Sequence, residues 1–167
     1  QERGFSFLRT QQEAGVFSVE FGGQRYPDVG LTGIGLAALQ TKPAAVRSAE
    51  EDHLIEQGLS WLLTQQGTDG AFGQTNVNYS TCSAVMALAA SKDPRFGSAL
   101  ARAQNYILAL QNTEGRDYSR TDRDYGSIGY GGDERGDLSN LQFALEALRS
   151  SGLDEEHEAF AKAMVFL

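Results

Sequence analysis

Apolar residues recur at helical spacing along most of the chain. Two stripes show it most clearly: Leu100, Ala103, Ile107 and Leu110 in one segment, and Leu138, Leu141, Leu145 and Leu148 in another. Spacings of three and four residues place apolar side chains on one face of an α-helix. Alternation with a period of two is not sustained beyond a few residues, which argues against strands. The pattern therefore predicts an all-α protein.

A phrase recurs at the ends of the predicted helices. RGFSFLRTQQEAGVF (3–17) and QGLSWLLTQQGTDGAF (57–72) share a glycine, an aromatic residue, a leucine, Thr-Gln-Gln and a Gly-x-Phe ending. A weaker third copy, RAQNYILALQNTEG (102–115), keeps the apolar run, the glutamine and the glycine. Self-similarity of this kind indicates a repeat architecture.

The copies are about 50 residues apart, which is typical of a pair of helices. Phe7, Trp61 and Ile107 hold equivalent places in the three copies. Second helices are predicted between the copies, at 31–39, 79–90 and 137–148. We expect one domain over 1–167, built of hairpin repeats at about 1–47, 48–97 and 98–153 and the start of a fourth at 154–167.

Glycines mark the predicted helix ends, since glycine adopts the left-handed conformation that often follows a helix. The expected C-terminal caps are Gly15, Gly70 and Gly115. The glycines of VGLTGIGL (29–36) do not have the spacing of a phosphate-binding loop, so we expect them to let helices approach closely. The repeated aromatic residues predicted in the core are Phe7, Trp61 and Phe72.

The repeated phrase resembles the QW motif of the terpenoid cyclase and protein prenyltransferase superfamily. The positions that fit it are Arg3, Gly4, Phe7, Leu8, Gln11 or Gln12, Gly15 and Phe17. The segment YGSIGYGGDERGDLSNLQFALEAL (125–148) is similar to bacterial prenyltransferase and squalene oxidase repeat proteins, with Leu141 where those usually have threonine. The resemblance spans nearly the whole chain and implies a partial α/α toroid of about three and a half hairpins. The motif glutamine is then expected to bond backbone groups at a neighbouring helix end.

The same resemblance implies a domain that binds or processes an isoprenoid or another apolar ligand. An enzyme of this kind would be a terpene cyclase or a prenyltransferase. The cyclase acid lies in an Asp-x-Asp-Asp motif, and TDRDYG (121–126) lacks the second adjacent Asp. The prenyltransferase zinc set needs Asp, Cys and His, whereas Cys82 has no nearby histidine. We therefore predict no complete catalytic motif, no metal site and no cofactor.

The segment 116–136 is the longest predicted loop, and loops of this length are often functional. The candidate ligand-binding residues are Tyr79, Tyr125, Tyr130 and Arg135. Asp133 and Asp137 are weak catalytic candidates for a third hypothesis, a carbohydrate-active enzyme that uses two carboxylates.

Composition limits the classes of partner that the protein is expected to bind. The chain has 22 acidic and 14 basic residues and a net charge of −8, which disfavours nucleic acid and anionic membrane surfaces. No apolar run approaches the roughly 20 residues of a membrane span. The first residues predict a helix, so the sequence does not decide between a cytoplasmic protein and an exported one whose leader has been removed. The other open alternative is a noncatalytic module for binding protein or glycan. We expect the remainder of a longer chain, self-association or a protein partner to cover an apolar edge.

Overall fold

The computed structural model describes residues 2–131 and 135–167. Within these residues the chain forms seven α-helices: α1 Glu2–Thr10, α2 Val29–Gln40, α3 Ala49–Thr64, α4 Val77–Ala90, α5 Gly97–Leu110, α6 Leu138–Ser150 and α7 Glu158–Phe166. Three short 3-10 helices lie in the connections, at Ala44–Val46, Pro94–Phe96 and Glu114–Arg116. The helices predicted at 31–39, 79–90 and 137–148 are present as α2, α4 and α6.

A small antiparallel sheet corrects the all-α prediction. Strands β1 Gln12–Glu13, β2 Val16–Phe21 and β3 Gln24–Pro27 lie in the order β1-β2-β3. Gly22 and Gly23, with φ of 60° and 77°, form a two-residue turn that only residues tolerant of positive φ adopt easily. The fold is therefore mixed α and β, and the prediction of an all-α toroid is wrong. Strand β2 has only six residues before the Gly-Gly turn, so any alternating pattern in it was too short to outweigh the helical pattern of the rest of the chain.

Helices α2, α4 and α6 form a central row, with α4 in the middle packed against both neighbours. The three run parallel, because Gln40 donates to the carbonyl of Ala87 at 2.9 Å and Asn78 donates to Asn140 near the other end. Gly33 lies so close to the backbone of Ser83 that a Cβ atom there would collide with it. The prediction that glycines of this segment permit close helix packing is confirmed at Gly33.

The flanking helices bury an apolar core against the central row. Its fully buried members include Leu36, Leu62, Phe72, Val85, Leu88, Ile107 and Leu148. The predicted core position of Phe72 is confirmed, and Trp61 packs against the core while partly buried. The prediction for Phe7 is wrong: α1 buries Phe5 instead and leaves Phe7 largely exposed.

The repeated phrase closes with the same kind of bridge in the first two copies. Gln12 pairs with Phe17, and Gln66 pairs with Phe72, as antiparallel bridges. A third turn pairs Asn112 with the segment at Ser127, whose carbonyl accepts from the Asn112 amide at 2.9 Å. The sheet in the first copy is an extension of this turn by one further strand.

A glycine with positive φ lies in each of the three turns and faces the backbone of the next flanking helix. Gly15 faces Leu54, Gly70 faces Arg102 and Gly126 faces Lys162. The expected third glycine, Gly115, is not the equivalent residue. The third turn is interrupted by residues 113–125, so its glycine comes later in the sequence than the first two copies suggest.

Motif glutamines connect successive repeats. Gln66 Nε2 donates to the carbonyl of Ala99 in α5 at 2.9 Å, and Gln111 Nε2 donates to the carbonyl of Ala159 in α7 at 2.9 Å. This confirms the expected bonding to a neighbouring helix end. Gln12 differs, since it bonds only locally, accepting from the Gly15 amide and donating to Arg9.

Candidate functional site

The helices of the central row all begin at one end of the molecule. Asp28 and Asp137 cap α2 and α6 by accepting backbone N–H groups through their carboxylates. The first turn of α4 is bonded differently, since the backbone N–H of Asn78 donates to the backbone carbonyl of Tyr130 at 2.8 Å. The long segment before α6 is thereby held over the start of α4.

Three rings meet at this end and form what we call the aromatic cluster: Tyr79, Tyr130 and Phe143. The Tyr79 ring lies edge-on to both others, with centroid separations of 5.7 Å to Tyr130 and 5.0 Å to Phe143. Such geometry is favourable for ring quadrupoles. The Tyr79 hydroxyl is fixed by Ser139 Oγ at 2.6 Å. Tyr130 is 48% exposed, and the other two rings are partly buried, so ring surface remains open to solvent.

The cluster lies on the face of the central row that is turned away from the flanking helices. Between Asn78 and Leu88 of α4, Tyr79 and Met86 are partly exposed and the remaining residues are buried. Seven residues separate Tyr79 from Met86, so both lie on one side of the helix. A ligand can therefore reach the rings without disturbing the core.

A buried polar network supports the cluster from below. Asn78 Nδ2 donates to Asn140 Oδ1 at 2.9 Å, and Asn140 Nδ2 donates to Asp137 Oδ2 at 2.8 Å. The Cys82 thiol donates to Asn78 Oδ1 at 3.2 Å. Because each polar group has a partner, the network fixes the register of α4 against α6 and so the position of Tyr79.

Asp137 is held ionised. Burial alone would raise its pKa, but hydrogen bonds from the backbone and side chain of Asn140, the Ser139 amide and the charge of Arg135 outweigh burial, so the pKa is lowered. Asn140 bonds both carboxylate oxygens. This arrangement suits a helix cap, and an ionised carboxylate has no proton to donate as a general acid.

The predicted ligand-binding residues fall into two groups. Tyr79 and Tyr130 are in contact, and the charge of Arg135 acts on Asp137 beside them. Tyr125 lies apart: it is buried and donates its hydroxyl to Glu114 Oε1 at 2.7 Å, next to Lys162 of α7. Asp133 lies outside the described residues, so the carboxylate pair with Asp137 stays a prediction.

Sequence reasoning missed Phe143, Ser139 and the asparagine pair. The available signal was an asparagine in the first turn of each of two adjacent central helices, at Asn78 in α4 and Asn140 in α6. A buried amide of that kind needs a partner, and a second buried amide in the first turn of the neighbouring helix can supply it.

Cys82 is fully buried, and burial raises the pKa of its thiol well above the ordinary value. A thiol in that state is a poor nucleophile and a poor metal ligand. Over 2–131 and 135–167, no three His, Cys, Asp or Glu side chains are grouped closely enough to hold a metal ion.

Two apolar grooves lie at opposite ends of the central row. The α7 groove, of about 620 Å³, is lined by Leu138, Leu141, Gln142, Leu145, Glu146, Arg149, Glu155, Phe160 and Leu167. The α1 groove, of about 520 Å³, is lined by residues of α1, β2, β3 and α2, among them Phe7, Leu8, Phe17, Glu20, Arg25, Leu31 and Ile34. Each groove is the uncovered side of a terminal hairpin.

None of the helices formed by the described residues has the length and apolar character needed to cross a membrane. Comparison of the chain with protein-family models, with curated proteins and with solved structures found no match.

Proposed function

We propose that this chain is a repeat protein of mixed α and β structure related to the squalene cyclase and prenyltransferase repeats, and that it holds an uncharged isoprenoid, or a similar apolar chain, against the aromatic cluster. The kinship is supported by the repeated turn, in which a glutamine pairs with an aromatic residue and a left-handed glycine contacts the next helix. The observation that carries the ligand proposal is the open ring surface of Tyr79, Tyr130 and Phe143.

The ligand class follows from the surface and the charge. Ring faces favour hydrocarbon, and covering them removes apolar area from water. The positive charge of Arg135 acts on the carboxylate of Asp137, which opposes it. With a net charge of −8, the chain also repels a diphosphate over longer distances. We therefore favour a neutral isoprenoid over a prenyl diphosphate.

The residues near the cluster support binding rather than acid catalysis. Asp137 is ionised and bonded through both oxygens, and Cys82 is a buried thiol. Their positions fix the helices that carry the rings.

The proposal is tested by incubating the protein with squalene, farnesol and farnesyl diphosphate and measuring retained ligand by native mass spectrometry. The change Tyr130→Ala removes an exposed ring of the cluster. If the ligand covers about 50 Å² of that ring, the loss is about 1.3 kcal/mol, or roughly tenfold in affinity. Tyr26→Ala is the matched control, because Tyr26 is 46% exposed but lies on β3, away from the cluster. Equal retention by both variants would contradict the proposed site.

A noncatalytic protein-interaction module is the second candidate. The observation in its favour is that both ends of the central row expose apolar grooves. Exposed apolar surface of this kind commonly marks an interface. More repeats in a longer chain, a second copy or another protein would each cover it.

A further inference from the structure

The two end grooves correspond to the two sides of an interface that the chain makes twice, between α2 and α4 and between α4 and α6. Thr32 in α2 and Thr81 in α4 accept hydrogen bonds from Phe17 and Phe72 in the equivalent turns. These threonines therefore align α2 with α4. Asp28 and Asp137, the N-caps of α2 and α6, each lie four residues before Thr32 and Leu141, so the buried Leu141 aligns α6 with the other two helices.

This alignment shows what the α7 groove lacks. Asn78 of α4 bonds Asn140 of α6, and Cys82, which bonds Asn78, lies one helical turn further along the same face of α4. The equivalent positions on α6 are Leu138 and Gln142, and both line the α7 groove. The outer side of α6 therefore corresponds to the side of α4 that packs against the next helix of the row.

The α1 groove is the reciprocal surface. Helix α4 meets α2 through Ser80 and Ser83, which lie against Gly30 and Gly33. The positions on α2 equivalent to Ser80 and Ser83 are Leu31 and Ile34, which line the α1 groove. The outer side of α2 therefore corresponds to the side of α4 that packs against α2.

The rims of the grooves are compatible in charge. Glu20 and Arg25 border the α1 groove, and Glu146, Arg149 and Glu155 border the α7 groove. Arg25 can face a carboxylate of the α7 groove while Glu20 faces Arg149. Mixed signs on both rims favour pairing over repulsion.

We infer that the α7 groove binds the α1–α2 end of a second copy of this chain, so that the central row continues from one molecule into the next with its helices parallel. Pairing of two α7 grooves would instead be isologous, with the outer side of α6 packed against itself, whereas each contact within the row joins two different helix sides. Such a head-to-tail contact is heterologous and builds closed rings or open filaments. The inference is independent of the ligand proposal and gives the interaction-module candidate a specific partner.

Two variants separate the halves of the contact. Phe7→Glu blocks the α1 groove and Leu138→Glu blocks the α7 groove, and both positions are already exposed, at 62% and 61%, so the fold is expected to tolerate either change. Val46→Glu is the matched control, because Val46 is 62% exposed and borders neither groove. Circular dichroism verifies that each variant is folded.

Sedimentation velocity over a concentration series gives the result. Wild-type protein and Val46→Glu are expected to exceed the monomer mass of 18.1 kDa as concentration rises. Each groove variant alone should associate at least tenfold more weakly, since a large apolar contact is replaced by a charge. An equimolar mixture of the two variants should form a one-to-one dimer through the intact grooves. A wild-type chain that stays monomeric, or a mixture that associates no better than either variant alone, would overturn the inference. Unchanged ligand binding by these variants would leave the ligand proposal standing.

Discussion

The turn glycines are the most demanding positions of the repeat, and Gly70 provides a quantitative test. Its φ of 96° is costly for any residue with a Cβ atom, by roughly 1–2 kcal/mol. A Cβ atom there would also collide with the backbone of Arg102 in α5. Relief of that collision requires α5 to move away from the turn, which weakens the Gln66 bonds to Gly70 and Ala99.

We expect Gly70→Ala to lower the free energy of unfolding by about 3 kcal/mol. About 1 kcal/mol comes from the left-handed backbone, after allowance for the lower entropy of the unfolded chain. The remaining roughly 2 kcal/mol comes from the two hydrogen bonds that displacement of α5 weakens, at roughly 1 kcal/mol each. Urea denaturation followed by far-UV circular dichroism measures the loss.

Gly152→Ala is the matched control for this experiment. Gly152 has a similar φ of 85°, but no atom lies within 4 Å of the position a Cβ would take. It therefore carries the backbone cost alone, and we expect a loss of about 1 kcal/mol. Equal losses in the two variants would refute the reasoning that the turn glycine is selected by contact with the next helix.

Four further predictions concern single contacts. Gln111→Ala removes two buried hydrogen bonds to backbone carbonyls of the third turn and of α7, and should cost about 2 kcal/mol of unfolding free energy in urea denaturation. Thr81→Val preserves shape but leaves the buried Phe72 amide without its acceptor, so a loss of about 1–3 kcal/mol is expected in the same assay; no loss would contradict the equivalence of the turns. Hydrogen bonds from the Tyr125 hydroxyl and from the backbone of Glu114 itself, and after these Lys162, lower the pKa of Glu114 from 4.5 to about 2, so the stabilisation from Glu114 is complete above pH 4.5 and is lost as the pH falls towards 2. Urea midpoints across that window should fall more steeply for wild type than for Glu114→Gln, and parallel curves would argue against the contact. Cys82 should react with a thiol reagent such as DTNB only after denaturation, and rapid reaction of the native protein would show that α4 is not buried as described.

The repeat could be predicted from sequence where its turn is continuous. In the first two copies, glutamine and Gly-x-Phe are separated by a few residues, and the structure gives them the same bridge. The third copy could not be aligned correctly because residues 113–125 separate Asn112 from Gly126. Residues 126–128, Gly-Ser-Ile, are the equivalent of Gly-Ala-Phe at 70–72, with Ile128 in the place of the phenylalanine.

The candidate site was predicted only in part for a physical reason. Tyr79 and Tyr130 come together because the segment before α6 bonds the first turn of α4, a contact between distant parts of the chain. Phe143 joins them only in the register set by the Asn78 and Asn140 pair. Tyr125 looked similar in sequence, yet its hydroxyl has a carboxylate partner beside α7, and it packs in the core. Helical periodicity does not specify such inter-helix registers.

The central claim, that the aromatic cluster binds an uncharged apolar chain, is tested most directly by photo-crosslinking. An isoprenoid alcohol carrying a diazirine would be irradiated with the native protein and the labelled peptides mapped by mass spectrometry. The account predicts labels on peptides containing Tyr79, Tyr130 or Phe143, reduced by an excess of unlabelled squalene and reduced in Tyr130→Ala. Labels confined to the α1 and α7 grooves, or no displaceable label, would contradict it.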